Sequence, residues 1–250
     1  MMVVATTSTM SFRFKQFFIE DSKCAMKVGT DGVLLGAWTP IGVRNQESGI
    51  RILDVGTGSG LIARMLMQRC PEAEVEGIDI DAAAVEQARE NGVSAFQARL
   101  QEWRLEIGNY YDLIVSNPPY FQNSLKNPDA GRMTARHTDT LSYTDLIHHC
   151  ARLLKEDGQL ALILPADAEA EVRGLAAAER LSLTHVTRVY SKVSKPVRRV
   201  LMAFRSQESG VKSQDDSLST FRIIEDTLVL EDEKGGRSAA YSNLTRDFYL

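Results

Sequence analysis

RILDVGTGSGLIARMLMQRC, residues Arg51–Cys70, contains a strand, a turn and a helix in one uninterrupted run. Arg51–Val55 is a short apolar stretch that stops at a row of glycines. Leu61, Ile62, Met65 and Leu66 then recur with helical spacing and share one face. Cys70-Pro71 ends the helix. Glycines between a strand and a helix permit a tight turn and a close approach of backbone to a ligand. The start of the helix offers unpaired N–H groups, which suit an anionic group.

The same alternation continues on both sides of this run. EVEGIDI (Glu74–Ile80) is a second strand. DAAAVEQARENG opens on Asp81, a plausible N-cap, and closes at Gly92. VSAFQARL supplies a third strand and YDLIVS a fourth. SYTDLIHHCARLLKEDG is a helix with Gly158 past its end, and QLALILP is a fifth strand. EAEVRGLAAAERL is a further helix, followed by strands in LTHVTRVYS and VRRVLMAFR. Strands alternating with helices predict an α/β fold with a mostly parallel sheet of seven strands and helices on both faces. The expected organisation is one domain: an extension over residues 1–48, a core over 49–205, and a loop, strand-like runs at Phe221–Ile224 and Thr227–Leu230, and a tail over 206–250.

Composition narrows the class. The chain has 250 residues, of which 44% are hydrophobic and 25% charged, values ordinary for a globular protein. No apolar run approaches the length of a membrane span, and the N-terminus lacks the basic start of a signal peptide, so a cytoplasmic location is expected. Cys24, Cys70 and Cys150 are scattered and fit neither a disulfide framework nor a metal site. A net charge of −4 argues against a general nucleic-acid coat. A local run contradicts that total: HVTRVYSKVSKPVRRVLMAFR carries Arg188, Lys192, Lys195, Arg198, Arg199 and Arg205 and no acid. It is either a solvated strand pair or a phosphate-contacting surface.

Ligands of parallel sheets bind at the carboxyl ends of the strands. Two motifs fall there. The first is Asp54-Val-Gly-Thr-Gly-Ser-Gly60, with Asp79 about 20 residues beyond, where an acid bonds ribose hydroxyls. Its G-x-G-x-G spacing departs from the dinucleotide fingerprint and fits S-adenosylmethionine better. The second is Asn117-Pro-Pro-Tyr120, a rigid row ending the fourth strand. An exocyclic amino group is a poor nucleophile because its lone pair is delocalised. Acceptors aimed at its hydrogens stabilise the more positive transition state. Asn117 offers a side-chain carbonyl, Pro118 a backbone carbonyl of fixed geometry, and Pro119 and Tyr120 a surface against which a planar group stacks.

These two motifs resemble class I S-adenosylmethionine-dependent methyltransferases acting on amino nitrogens. FKQFF (Phe14–Phe18), KCAMKVGTDGVLLGAW (Lys23–Trp38), ARH (Ala135–His137), KPVRRVL (Lys195–Leu201) and the terminal DFYL further resemble the bacterial tRNA1(Val) adenine-37 N6-methyltransferases. The resemblance implies a Rossmann-like fold, S-adenosylmethionine as cofactor, and a valine tRNA as partner, methylated in its anticodon loop. It implies that Asp54, Gly56, Gly58, Gly60 and Asp79 hold the cofactor, with Thr30 and Asp31 closing over its methionine end unless they merely cap a helix. Asn117, Pro118 and Tyr120 would be catalytic. Pro119, Tyr120, Arg136, His137, Arg198 and Arg199 would contact the substrate; His137 is equally a structural loop residue. The acid that many relatives of this class carry after the third strand is replaced by Arg99, with Gln101 or backbone groups left to do its work. A glutamine side chain in a protein also presents a planar amino group, so a protein glutamine methyltransferase remains a second reading. DNA as substrate, or a cofactor-binding module without catalysis, rank lower.

Overall fold

The computed structural model describes residues 11–41, 49–105, 108–119, 141–207 and 222–249. An antiparallel pair, β1 (Ser11–Arg13) and β2 (Phe18–Glu20), leads into α1 (Thr30–Trp38). Then come β3 (Arg51–Val55), α2 (Leu61–Arg69), β4 (Glu74–Asp79), α3 (Ala82–Glu90), β5 (Ser94–Gln97) and β6 (Tyr111–Ser116). They are followed by α4 (Tyr143–Leu153), β7 (Leu154–Pro165), α5 (Glu169–Ala178), β8 (Leu181–Tyr190), β9 (Val197–Ser206), β10 (Ile224–Val229) and α6 (Ala239–Thr245).

Eight strands form one sheet in the order β10-β8-β9-β7-β6-β3-β4-β5. Only β9 runs against the rest. The sequence predicts seven strands. The eighth is β10, an edge strand beside β8 that covers Thr227–Val229 of the second expected C-terminal run and only Ile224 of the first, whose Phe221 lies outside the described residues. The chain leaves β3 in one direction through β4 and β5, then returns to lay β6 on the other side of β3. That reversal opens a crevice at the carboxyl ends of β3 and β6.

The central strands are apolar on both faces because both faces are covered. Along β7, Leu160, Leu162 and Leu164 point into a cluster with Leu146, Ile147, Cys150 and Val172 of α4 and α5. Ala161 and Ile163 alternate to the other side, among Leu35, Ile62, Leu66 and Val85 of α1, α2 and α3. α1 is apolar nearly all round, since it lies between the sheet and a third cluster of Phe14, Phe17, Ile19, Leu61, Met65 and Phe248. At Gly36 a Cβ would sit 2.7 Å from the Met65 sulfur, so glycine is what lets α1 reach α2. The C-terminal segment docks here: Lys15 N–H donates to the Phe248 carbonyl (2.8 Å), and Tyr249 stacks on Phe14.

One boundary differs from expectation. α4 stops at Leu153, and Leu154 already pairs with Tyr111. Gly158 is therefore not a helix end. It lies in a fold of β7 where Asp157 has φ 60° and the Gly158 Cα faces the Lys155 carbonyl too closely for a side chain. No helix among the described residues is long and apolar enough to cross a membrane.

Candidate active site

β3 and β6 end side by side, with Val55 opposite Ser116. The Ser116 hydroxyl donates to the Val55 carbonyl (2.8 Å) and is fully buried. This bond ties Val55, inside the glycine motif, to the residue just before Asn117, and neither motif announces it. A cavity of about 650 Å³ opens above them, within the range of small-molecule sites. Its walls include Gly56, Gly58, Asp79, Asn117 and Pro119 together. Pro118 is buried beneath. Tyr120, Arg136 and His137 lie outside the described residues.

The glycine turn is built from three different glycines. Gly56, Gly58 and Gly60 all have positive φ (73°, 53° and 79°). A Cβ at Gly56 or Gly58 would meet nothing within 4 Å, so these two present bare backbone to the cavity. A Cβ at Gly60 would fall 2.7 Å from Val93, so Gly60 serves the packing of α2 on α3 and β5 instead. The turn is tied to β4: Gly56 and Thr57 N–H both donate to the Ile78 carbonyl (2.9 and 3.0 Å). Gly77 leaves room for the Thr57 side chain, whose Oγ1 would lie 2.7 Å from a Cβ there.

The two acids have different jobs. Asp54 is fully buried and does not line the cavity. Its Oδ2 accepts from the Thr57 hydroxyl (2.8 Å) and from Ala63 N–H (3.3 Å) in the first turn of α2. It shapes the turn and the helix start from behind. Asp79 faces the cavity. Its Oδ2 accepts from Gly58 N–H (2.9 Å) and its Oδ1 from Asp81 N–H (3.0 Å). A carboxylate has about four acceptor sites, so roughly two remain for a ligand's hydroxyls.

Burial pushes the Asp54 carboxyl up to about 7, and the nearby Asp79 adds to this, while the Thr57 and Ala63 hydrogen bonds oppose it. An acid whose folded pKa is raised contributes stability below its unfolded value and loses it as pH rises through the folded one. Wild-type stability should therefore fall relative to Asp54→Asn as pH rises from about 4 to 8. Thermal melts of both proteins across that range check this. A constant difference in midpoint would assign Asp54 no titration there.

The remaining predicted residues divide. Thr30 and Asp31 line the cavity and begin α1, but its N-cap is Gly29 with no side-chain cap bond. Asp31 accepts from Arg199 Nε (2.8 Å). Ala98, Arg99, Leu100 and Gln101 form another wall. The basic run is largely neutralised. Arg188 binds Glu169 and Glu225, Lys192 binds Glu231, Arg199 binds Asp31 and Arg205 binds Asp157. Lys195 and Arg198 have no ion-pair partner among the described residues and are exposed. Arg198 sits at the start of β9 and Lys195 in the turn just before it, and Arg199 of β9 pairs with Pro165 at the carboxyl end of β7. The start of β9 thus lies on the same sheet edge as the cavity, two strand positions from β6, or about 10 Å. Among the described residues no three His, Cys, Asp or Glu side chains gather as a metal site.

The cavity's other lip comes from the N-terminal stretch Lys23–Trp38 that carries part of the resemblance. Residues 24–29 of the segment between β2 and α1 form part of the wall. Asp21 holds this segment in a loop by accepting from Val28 N–H (2.8 Å). Asp21 lies just outside that stretch, a single polar residue with no periodicity to mark it.

The family model for the methyltransferase small domain matches residues 42–178. The chain is 42% identical to the tRNA1(Val) (adenine(37)-N6)-methyltransferase of Bacteroides fragilis, over 96% of this chain and 97% of that one. The enzyme of the same name from Edwardsiella ictaluri is 38% identical over 96% and 93%. Among solved structures, a predicted O-methyltransferase from Agrobacterium tumefaciens superposes with a TM-score of 0.62 at 18% identity, covering 87% of this chain and 96% of that one. That likeness concerns the fold alone. The identity over nearly the whole length, together with the glycine turn and Asn117-Pro-Pro row on one cavity, places the chain in the tRNA1(Val) (adenine(37)-N6)-methyltransferase family.

Proposed function

We propose that this chain methylates N6 of adenine 37 in tRNA1(Val), in the cytoplasm, using S-adenosylmethionine. The observation that carries the reading is the shared cavity: the amino-group clamp and the cofactor turn face one space. The bare backbone at Gly56 and Gly58 and the spare acceptor sites of Asp79 fit a nucleoside with two ribose hydroxyls. Thr30 and Asp31 line the same cavity and would meet the methionine portion. Gln101 takes the place of the missing acid and offers both an amide donor and an acceptor to the cofactor's adenine.

When bound, the sulfonium supplies an electrophilic methyl group. Asn117 accepts one hydrogen of the target amino group through its side-chain oxygen, and the Pro118 carbonyl accepts the other. Both acceptors favour the nitrogen as it becomes positive. No side chain need act as base beforehand, because the nitrogen sheds its proton readily after bonding to carbon. Tyr120 and Pro119 hold the extruded base, and an anticodon-loop base is already unpaired, which lowers the energy of extrusion.

Labelled S-adenosylmethionine offered with unmodified tRNA, rRNA and protein pools tests the reading. N6-methyladenosine in a valine tRNA is the expected product. Label on a protein glutamine would replace it with the second reading from sequence.

Lys195 and Arg198, rather than the ion-paired Arg199, are the proposed phosphate contacts. Reversing both to Glu should weaken tRNA binding and lower the magnitude of the salt slope by roughly 1.4, at about 0.7 per single-stranded phosphate contact. Binding titrations at several salt concentrations measure it, and an unchanged slope would return these residues to the solvated surface.

A further inference from the structure

The loop between β2 and α1 walls one side of the cavity, yet it belongs to a separate two-stranded unit. Something must hold it in register with the glycine turn. Asn91, the residue that ends α3, is buried and has three bonds to do so. Its Oδ1 accepts from Glu20 N–H (3.1 Å), and its Nδ2 donates to the Glu20 carbonyl (2.7 Å). This two-bond grip copies the pairing of a neighbouring strand. Nδ2 also donates to the Ser59 carbonyl (2.8 Å), inside the glycine turn itself. One amide thereby joins residues 71 positions and 32 positions away. A turn earlier on the same helix, the fully buried Gln87 accepts from Lys23 N–H and from the Ser22 hydroxyl (3.3 Å each). Lys23 Nζ adds exposed ion pairs to Glu86 and Glu90.

We propose that Asn91 is a positioning residue for the cofactor: it clasps the end of β2, at the root of the loop of residues 21–29, to the glycine turn, so that both walls are in place before S-adenosylmethionine enters. Gln87 is the second point of the clasp. The proposal rests on the cofactor reading given above. Neither residue lines the cavity, so neither acts on the ligand directly. Their effect is preorganisation, which appears in affinity rather than in the chemical step.

Asn91→Asp is the sharpest variant. It keeps the size and the acceptor for Glu20 N–H, but sets an oxygen against the Glu20 and Ser59 carbonyls. Calorimetric titration of S-adenosylmethionine and turnover against its concentration are measured for the wild type, Asn91→Asp and Tyr111→Phe. Tyr111 bonds Glu76 and Trp103 at the opposite end of the sheet and serves as a control for general destabilisation. The expected result is a rise of about tenfold or more in cofactor Kd and KM for Asn91→Asp, with saturated turnover near wild type, and no change in Kd for Tyr111→Phe. The Val28 amide, held by Asp21, should exchange faster in the Asn91 variant. Wild-type Kd in Asn91→Asp, or lost turnover at unchanged KM, overturns the clasp. Should that variant not fold, Gln87→Leu releases the loop at Lys23 and leaves the turn bonded; a weaker Kd supports the clasp and an unchanged one overturns it. A wild type that binds no S-adenosylmethionine sinks the cofactor reading and the clasp with it, an outcome distinct from equal binding by wild type and variant.

Discussion

Asn117→Ala is expected to lower the rate of methyl transfer by about 10²- to 10³-fold, the range seen when one preorganised polar group at a transition state is removed. Cofactor affinity should stay near wild type. The asymmetry follows from where Asn117 sits. It follows β6 at the shared cavity, while the groups that fit the ribose, Gly58 and Asp79, lie in the turn after β3 and at the end of β4. The side-chain oxygen matters most when the amino nitrogen turns positive, which is late on the reaction path, so the loss falls on turnover rather than on binding. Asn117→Asp keeps an acceptor in place and adds charge, and should retain more activity than Ala. Single-turnover rates at saturating tRNA and cofactor, beside calorimetric Kd values, separate the two effects. A rate within threefold of wild type would dismiss the clamp.

Much of this site is legible in the amino-acid sequence, for a definite reason. A strand, a glycine turn and a helix must occur in that order for a nucleotide to meet bare backbone, so Gly56 and Gly58 are visible in the string of residues. Two prolines after Asn117 can only end a strand. Both motifs therefore point to one sheet edge, and the register of Val55 with Ser116 places them there. The division of labour among the residues is less visible. Gly60 has the same spacing as its neighbours yet faces Val93, and Asp54 is buried under the turn while Asp79 faces the cavity. Distinguishing them requires knowing which side of the turn is open.

Charge is the least legible property. Six cations in a row suggest a surface for phosphates, but four of them meet acids from α1, α5, β7, β10 and the segment after β10. Each of those acids is distant in sequence, so only the fold reveals the neutralisation. The expected helix end at Gly158 fails on similar grounds: Leu154 is drawn into the sheet by Tyr111, a tertiary contact that overrides local signals. Asn91 and Ser116 carry no signal of their own, because a single polar residue with backbone partners leaves no pattern.

Asp79→Ala should raise the Kd for S-adenosylmethionine by about 100-fold, the scale of one or two hydrogen bonds to a charged acceptor. Two losses combine. The ribose hydroxyls lose their acceptor, and Gly58 N–H and Asp81 N–H lose the carboxylate that binds them both. A cycle with a cofactor analogue lacking the ribose hydroxyls separates the two. If the carboxylate meets the ribose directly, the analogue binds wild type weakly but binds Asp79→Ala no worse than the natural cofactor does. If Asp79 only braces the turn, the analogue suffers the same penalty in both proteins. The geometry favours direct contact, because Asp79 lines the cavity and the two backbone N–H groups leave acceptor sites on its oxygens. Asp54 provides the contrast: it has no access to the cavity, so Asp54→Asn should alter stability and its pH dependence while leaving that cycle unchanged.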